Sequence, residues 1–476
     1  MVYEKDLDAV LHEIIARWGI PGMAVGIVEN DEIVYASGFG VQNIETQAPV
    51  TMETMFSACS ISKSFVATAV VQLAESGKID LDAPIVQHLP YFQMDDERYR
   101  QITIRQMLSH RSGMPDMDDD EFNELLTQTD WDDGCAERYV IGRLSSKKLL
   151  ANPGEKFNYS DFNFNVLAAM IAEVSSQTFE AYMQEHILIP AGMLHSTFIL
   201  KNIPSNLEAM PHSRTPETKP LPVHPYHRAA APASFLHSNI LDMCHWAVTS
   251  LMRGSFGGKS ILSPTIYDKM WTPVSDYGYS RPSIYEDYGM GWTLGHFQDA
   301  KTVGHGGAGC GWVAFLLIMP EKNRAAAFFC NEFSMGARSQ ILSAVAKTLV
   351  DQKPQVSKIS WMIPINQALI DGDIQTAYAC YDEIKANRTD KYYFDEDDLI
   401  SLADQLVSAK KLDLAIELLG LNIHVYPKYI ESYIKQAKIY IQKGKIAESE
   451  KSILKALSIE PNNAIVIGLL DAIRIR

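Results

Sequence analysis

Met55-Phe56-Ser57-Ala58-Cys59-Ser60-Ile61-Ser62-Lys63 decides how this chain is read. Beyond it, apolar residues fall at helical spacing (Phe65, Ala69, Val70, Leu73), and Gly77 closes the run as a C-cap glycine. The spacing predicts a helix from Ser60 to Glu75. Ser60 and Lys63 then share one face of its first turn. The amine lies within reach of the hydroxyl, and a serine needs such a neighbour to take its proton. N–H groups at the helix start favour a developing oxyanion. S-x-x-K also occurs at Ser145, Ser408, Ser432 and Ser452, so the spacing alone carries little weight. What distinguishes Ser60 is its company.

Two later clusters supply that company. Pro153-Gly154-Glu155-Lys156-Phe157-Asn158-Tyr159-Ser160-Asp161 turns into an apolar helix, Phe164 to Val174. A phenol beside a lysine ammonium has its pKa lowered, so Tyr159 is expected to act as general base or relay to the leaving group. Gly304-His305-Gly306-Gly307-Ala308-Gly309 stands before the apolar run Trp312 to Met319. Its glycines, Gly307 among them, let backbone pass close to a ligand. Ala308 is expected to add an oxyanion N–H to that of Ser60, and His305 to point at the substrate.

The wider chain frames these clusters. Its 476 residues, 47% hydrophobic and 21% charged, suit a soluble globular protein of two or three domains. A net charge of −16 disfavours nucleic acid and anionic membrane as partners. Trp312 to Met319 is far shorter than the ~20 residues of a spanning helix and reads as a buried strand. The start, Met1-Val-Tyr-Glu-Lys-Asp6, has neither a basic nor an apolar leader region. The expectation is a cytoplasmic protein, or a periplasmic or secreted one if a leader was removed. Six scattered cysteines, including Cys135, form no CxxC and read as free thiols. The acidic run Asp116, Asp118, Asp119, Asp120, Glu121 lacks calcium-loop spacing and reads as a solvated loop. HExxH and GxSxG are both absent, and neither metal nor cofactor is expected.

Strand-like Gly22–Val28, Ile33–Ala36, Trp312–Met319 and Ala325–Cys330 flank a helix-rich middle, which predicts an antiparallel sheet with helices packed on it. After about Gln352 the pattern is helical throughout. Pro427 and Pro461 stand 34 positions apart, and Ala415 aligns with Ser449, Leu419 with Ile453, Leu406 with Tyr440, and Ala403 with Ala437. That spacing resembles the tetratricopeptide repeat. The expected division is a mixed α and β domain over 1–353 and an all-α helical-repeat domain over 354–476, packed against the first.

The first ~350 residues resemble the serine β-lactamase and penicillin-binding-protein-like hydrolases, on the class C, D-aminopeptidase and family VIII esterase side. The stretches that carry this are Ile20-Pro-Gly-Met-Ala-Val-Gly26, Phe56 to Lys63, Leu81-Asp-Ala-Pro84, Ile102 to Gly113, the Tyr159 cluster, Tyr288-Gly-Met-Gly-Trp292 and His305-Gly-Gly307. The resemblance implies a β-lactamase/transpeptidase-like α/β (α+β) fold and a Ser60 acyl-enzyme, with Lys63 and Tyr159 sharing the proton transfers. The substrates implied are small esters, amides or D-amino-acid peptides.

Two departures stand out. The family's Tyr-x-Asn is Tyr159-Ser160-Asp161 here, and its Lys-Thr-Gly is His305-Gly306-Gly307. An aspartate accepts where the asparagine donates, and a histidine attracts a carboxylate only weakly at neutral pH. Both changes argue against an efficient β-lactamase. Asp161 could take a substrate ammonium, or it could point away and leave its role to Asn163. A true β-lactamase or DD-carboxypeptidase is one alternative. A non-catalytic penicillin-binding sensor, using its repeats for protein interaction or self-association, is another.

Overall fold

Every residue of Trp312–Met319 is buried, because both faces of this strand are covered. The computed structural model describes residues 3–117, 119–126, 136–277, 283–387 and 389–475. Asp118 and Cys135 lie outside the described residues. The main sheet has eight antiparallel strands: β1 (Gly22–Glu29), β2 (Glu32–Gly40), β3 (Ser275–Asp276), β4 (Asp287–Tyr288), β5 (Thr293–Phe297), β6 (Ala300–Gly309), β7 (Trp312–Met319) and β8 (Arg324–Cys330). Their order is β2-β1-β8-β7-β6-β5-β4-β3, so the first and last strands of the sheet in chain order, β1 and β8, pair side by side, one strand in from an edge.

Alternate side chains of each strand enter different cores, as the pleat requires. Ala24, Ala314, Leu316 and Phe329 face one core with the helices α2 (Ser62–Glu75), α3 (Asp161–Ser175) and α4 (Ile240–Leu251). Val25, Val313, Phe315 and Phe328 face a second core with α1 (Glu4–Trp18) and α5 (Met335–Leu349). Asp119–Leu126, expected as loop, is helical.

The tail is wholly helical apart from a short parallel strand pair, Ile359–Ser360 with Tyr392–Tyr393. Its helices are α6 (Met362–Asp371), α7 (Ile374–Asn387), α8 (Asp398–Ser408), α9 (Leu412–Val425), α10 (Ile430–Gln442), α11 (Ile446–Ile459) and α12 (Ala464–Ile475). Ala403, Ala415, Ala437 and Ser449 are buried where helices cross, and Ser449 Oγ donates to Ala437 O at 3.1 Å. The second core runs on into this tail through Trp361, Ile365, Leu402, Leu406 and Leu418. Among the described residues, no helix is long and apolar enough to cross a membrane.

Trp361 is fully buried at this junction; its ring stacks on Phe394 and its indole N–H donates to Asp395 O at 3.3 Å. Trp361→Ala should cost about 3–5 kcal/mol, read as a lower urea midpoint. Because the core is continuous, near-UV signals from the sheet and helical far-UV signals should both shift. A shift confined to one of them contradicts a shared core.

Candidate active site

Ser60 sits in a 3-10 turn, Cys59–Ile61, immediately ahead of α2, which begins at Ser62 rather than at Ser60. The helix starts late because Cys59 adopts φ +45, off the helical path. The turn is pinned from both sides: Ser57 Oγ accepts the Cys59 N–H at 3.3 Å, and Ser62 Oγ donates to Cys59 O at 2.6 Å. Ser60 itself is half-buried and open to the cleft.

Lys63, one turn on, has a side chain with no solvent exposure. An ammonium has three protons to donate, and here it finds two hydrogen-bond acceptors and a carboxylate to balance its charge. Nζ lies 2.9 Å from Ser60 Oγ, 3.0 Å from Ala233 O and 2.7 Å from Asp161 Oδ1. Asp161 opens α3, where the helix N-terminus favours a carboxylate. Its other oxygen accepts from Ser234 Oγ at 3.0 Å, and its N–H donates to Asp116 Oδ1 at 2.9 Å. Asp161 therefore faces the site. Asn163, the alternative for its role, is buried with Nδ2 3.3 Å from His110 Nδ1.

Tyr159 comes from the segment before α3 and lies near enough to Ser60 for the serine side chain to act on its ionisation. Lys63 Nζ lies 4.9 Å from its ring centroid. The phenol was expected to be acidified. Instead its pKa is pushed well above the usual 10, first by burial and then by the Asp161 carboxylate. The reason is that the ammonium is already paired with Asp161, so a phenolate would meet an anion and little water.

His110 positions this segment. Its ring stacks on Tyr159, centroids 4.1 Å apart, and Nδ1 accepts the Ser160 N–H at 3.1 Å. Sequence reasoning did not give His110, Ala233 or Ser234 a place in the site. His110 lay within the quoted stretch Ile102–Gly113. Nothing in the residues around Ala233 and Ser234 marks them, since one offers only a backbone carbonyl.

The third wall is the edge of β6. His305, Gly307 and Ala308 stand ahead of β7, as expected, and are themselves part of a strand, β6. β5 pairs with β6 only from Ala300 to Gly304, so beyond Gly304 no strand covers that edge among the described residues. A Cβ on Gly307 would lie 2.6 Å from Cys59 Cβ, 2.7 Å from Ala58 O and 2.8 Å from Ser60 N. Glycine there lets β6 pack directly against the Ser60 turn, which sets the Ser60 N–H beside the open strand edge. Ala308 follows on the same open edge, exposed and paired with Val313 on the other side.

His305 is 3% exposed, with both ring nitrogens engaged inside the protein. Nδ1 lies 2.7 Å from Gly306 O, so it carries the proton, and Nε2 accepts from Tyr288 OH at 3.0 Å. Burial, then the nearby Lys63 charge, lowers its pKa to about 3. His305 is thus a neutral wall of the site and not a pointer at the substrate.

A sequence profile described as Beta-lactamase matches residues 7–348. Protein flp of Staphylococcus aureus (strain MW2) is 25% identical over 325 residues, 67% of this chain and 61% of its own length. The chain therefore spans less than two thirds of that relative. PbpX of Bacillus subtilis (strain 168), named for penicillin binding, is 30% identical over 290 residues, 60% of this chain and 68% of its own. Among solved structures, the octameric penicillin-binding protein homologue from Pyrococcus abyssi superposes with a TM-score of 0.64 at 26% identity, covering 74% of this chain and 78% of that one.

Neutral burial of His305 has a consequence for acid stability. Between the ordinary 6.5 and about 3, only the unfolded chain protonates this ring. Its contribution to stability is full above 6.5 and is lost progressively as pH falls below it. NMR titration of labelled histidines should show the His305 ring still neutral at pH 5. A His305 midpoint near 6.5 contradicts this geometry.

Proposed function

Because the chain belongs to the β-lactamase family, we propose that it is a serine hydrolase working through an acyl-enzyme on Ser60, with small esters, amides or D-amino-acid peptides as substrates. The observation that carries this is the convergence of three groups: Ser60 Oγ lies 2.9 Å from the Lys63 ammonium, which in turn lies 4.9 Å from the Tyr159 ring centroid. Since Lys63 donates to Ser60, the serine proton is directed to the Tyr159 oxygen.

Ser60 Oγ attacks the substrate carbonyl and a C–O bond forms. Its proton passes to Tyr159 as Tyr159 gives its own proton to the leaving group, whose bond to carbon breaks. The phenol is neutral before and after, which suits its raised pKa. Lys63 steadies the serine oxygen throughout, and the Ser60 N–H below Gly307 receives the carbonyl oxygen. Water then repeats the steps in reverse and releases the acid.

Substrate choice follows from charge. Where the family pattern has a lysine, His305 is neutral. Asp161 is engaged by Lys63 and Ser234, so it has less to offer a substrate ammonium. The neutral His305 disfavours a carboxylate beside the scissile bond, as in penicillins and C-terminal D-alanine peptides, and the engaged Asp161 gives no preference for a free ammonium, as in D-Ala-p-nitroanilide.

Incubation with a fluorophosphonate should add mass at Ser60, lost in Ser60→Ala, and p-nitrophenyl butyrate should turn over faster than nitrocefin or D-Ala-p-nitroanilide. Full ester turnover by Ser60→Ala contradicts the reading. Asp161→Asn removes the counter-charge that holds the ammonium in place, and the rate of Ser60 labelling should fall about 10²-fold. An unchanged rate would remove Asp161 from the mechanism.

A further inference from the structure

A second cavity, of about 360 Å³, lies on the α1 and α5 side of the sheet, where the helical tail meets the start of α5. Its wall holds Glu332, which is 1% exposed and whose two carboxylate oxygens accept no hydrogen bond from the described residues. The nearest cation, Arg214 Nη2, stands 3.5 Å away and gives its hydrogen bond to Trp18 O instead. Gln340 Oε1, in the same wall, is another buried acceptor without a donor. Asp398 lies further along, and Asp395 and Asp397 are exposed at the rim.

We propose that this cavity is a binding site for a small organic cation, a primary amine or guanidinium compound. Four carboxylates of the wall and rim face one guanidinium, so an anion is repelled and a cation attracted. Glu332, whose one partner is the Arg214 ion pair at 3.5 Å, and Gln340 Oε1 accept no hydrogen bond from the described residues, and ammonium and guanidinium carry donors only. The rings of Trp18 and Tyr393 line the same space and suit an organic cation. Among the described residues, no three His, Cys, Asp or Glu side chains converge well enough to hold a metal ion. The volume matches on the order of ten waters, the size of a four- or five-carbon amine. The proposal is independent of the chemistry at Ser60.

Burial pushes the Glu332 carboxyl up to about 7 against the pull of Arg214. It pushes Asp398 up to about 7 as well, opposed by the Ser360 hydrogen bond and reinforced by Asp395 and Asp397. A bound ammonium favours the ionised form of both, so affinity should rise with pH through about 7 while the amine stays charged.

The test is calorimetric titration of the full chain with putrescine and with agmatine, using butane-1,4-diol as the uncharged counterpart and potassium and magnesium chloride as inorganic controls. Saturable binding of the amines, tighter at pH 8 than at pH 6, is expected, with at least about 10-fold loss in Glu332→Gln. Ser339→Lys, at an exposed position on α5 in the same wall, places a tethered ammonium in the cavity and should abolish binding in a folded protein. Equal binding of the diol, or displacement of the amines by equimolar magnesium or potassium, overturns the proposal. So does unchanged affinity in both variants, or no binding up to about 10 mM.

Discussion

A lysine ammonium with no solvent exposure is the constraint around which this site is built. Leaving such a charge unpaired inside a protein costs several kcal/mol. Lys63 avoids that cost through Ser60 Oγ, Ala233 O and Asp161 Oδ1, which come from three separate parts of the chain. The late start of α2, the acidic first residue of α3 and the short helix Ala231–Ser234 are therefore one arrangement. A shift in any of them leaves a buried charge without a partner and moves the serine with it.

The rest of the cleft is shaped by what is kept away from that ion pair. Gly307 has no side chain because Ser60 N and Ala58 O already occupy the place where one would go. His305 is held neutral by its own burial and by the charge of Lys63. Tyr159 is held as a phenol by burial and by Asp161. The site thus combines one fixed positive charge, one carboxylate that balances it, and two neutral proton-bearing rings. That composition suits a relay in which no net charge travels, and it gives little attraction to an anionic substrate.

Much of the fold was legible because its signals are local or periodic. The run Trp312–Met319 announces a strand covered on both faces, and the 34-residue spacing of Pro427 and Pro461 announces paired helices with small residues at the crossings. Ser60, Lys63 and Tyr159 could be named because their neighbours follow a family pattern in order. The contribution of Ala233 could not be found, since a main-chain carbonyl has no sequence signature. The protonation of Tyr159 was read in the wrong direction, because a nearby lysine was weighed without the burial and the aspartate that outweigh it. The start of α2 was misplaced by two residues because only the backbone geometry of Cys59 breaks the helical path.

An atomic-resolution crystal structure at neutral pH tests the central claim most directly. Lys63 Nζ should lie within hydrogen-bonding distance of Ser60 Oγ, Ala233 O and an Asp161 carboxylate oxygen at once, with the Tyr159 hydroxyl against the serine. A Lys63 side chain turned away from Ser60, or an Asp161 carboxylate rotated out to solvent, would contradict it.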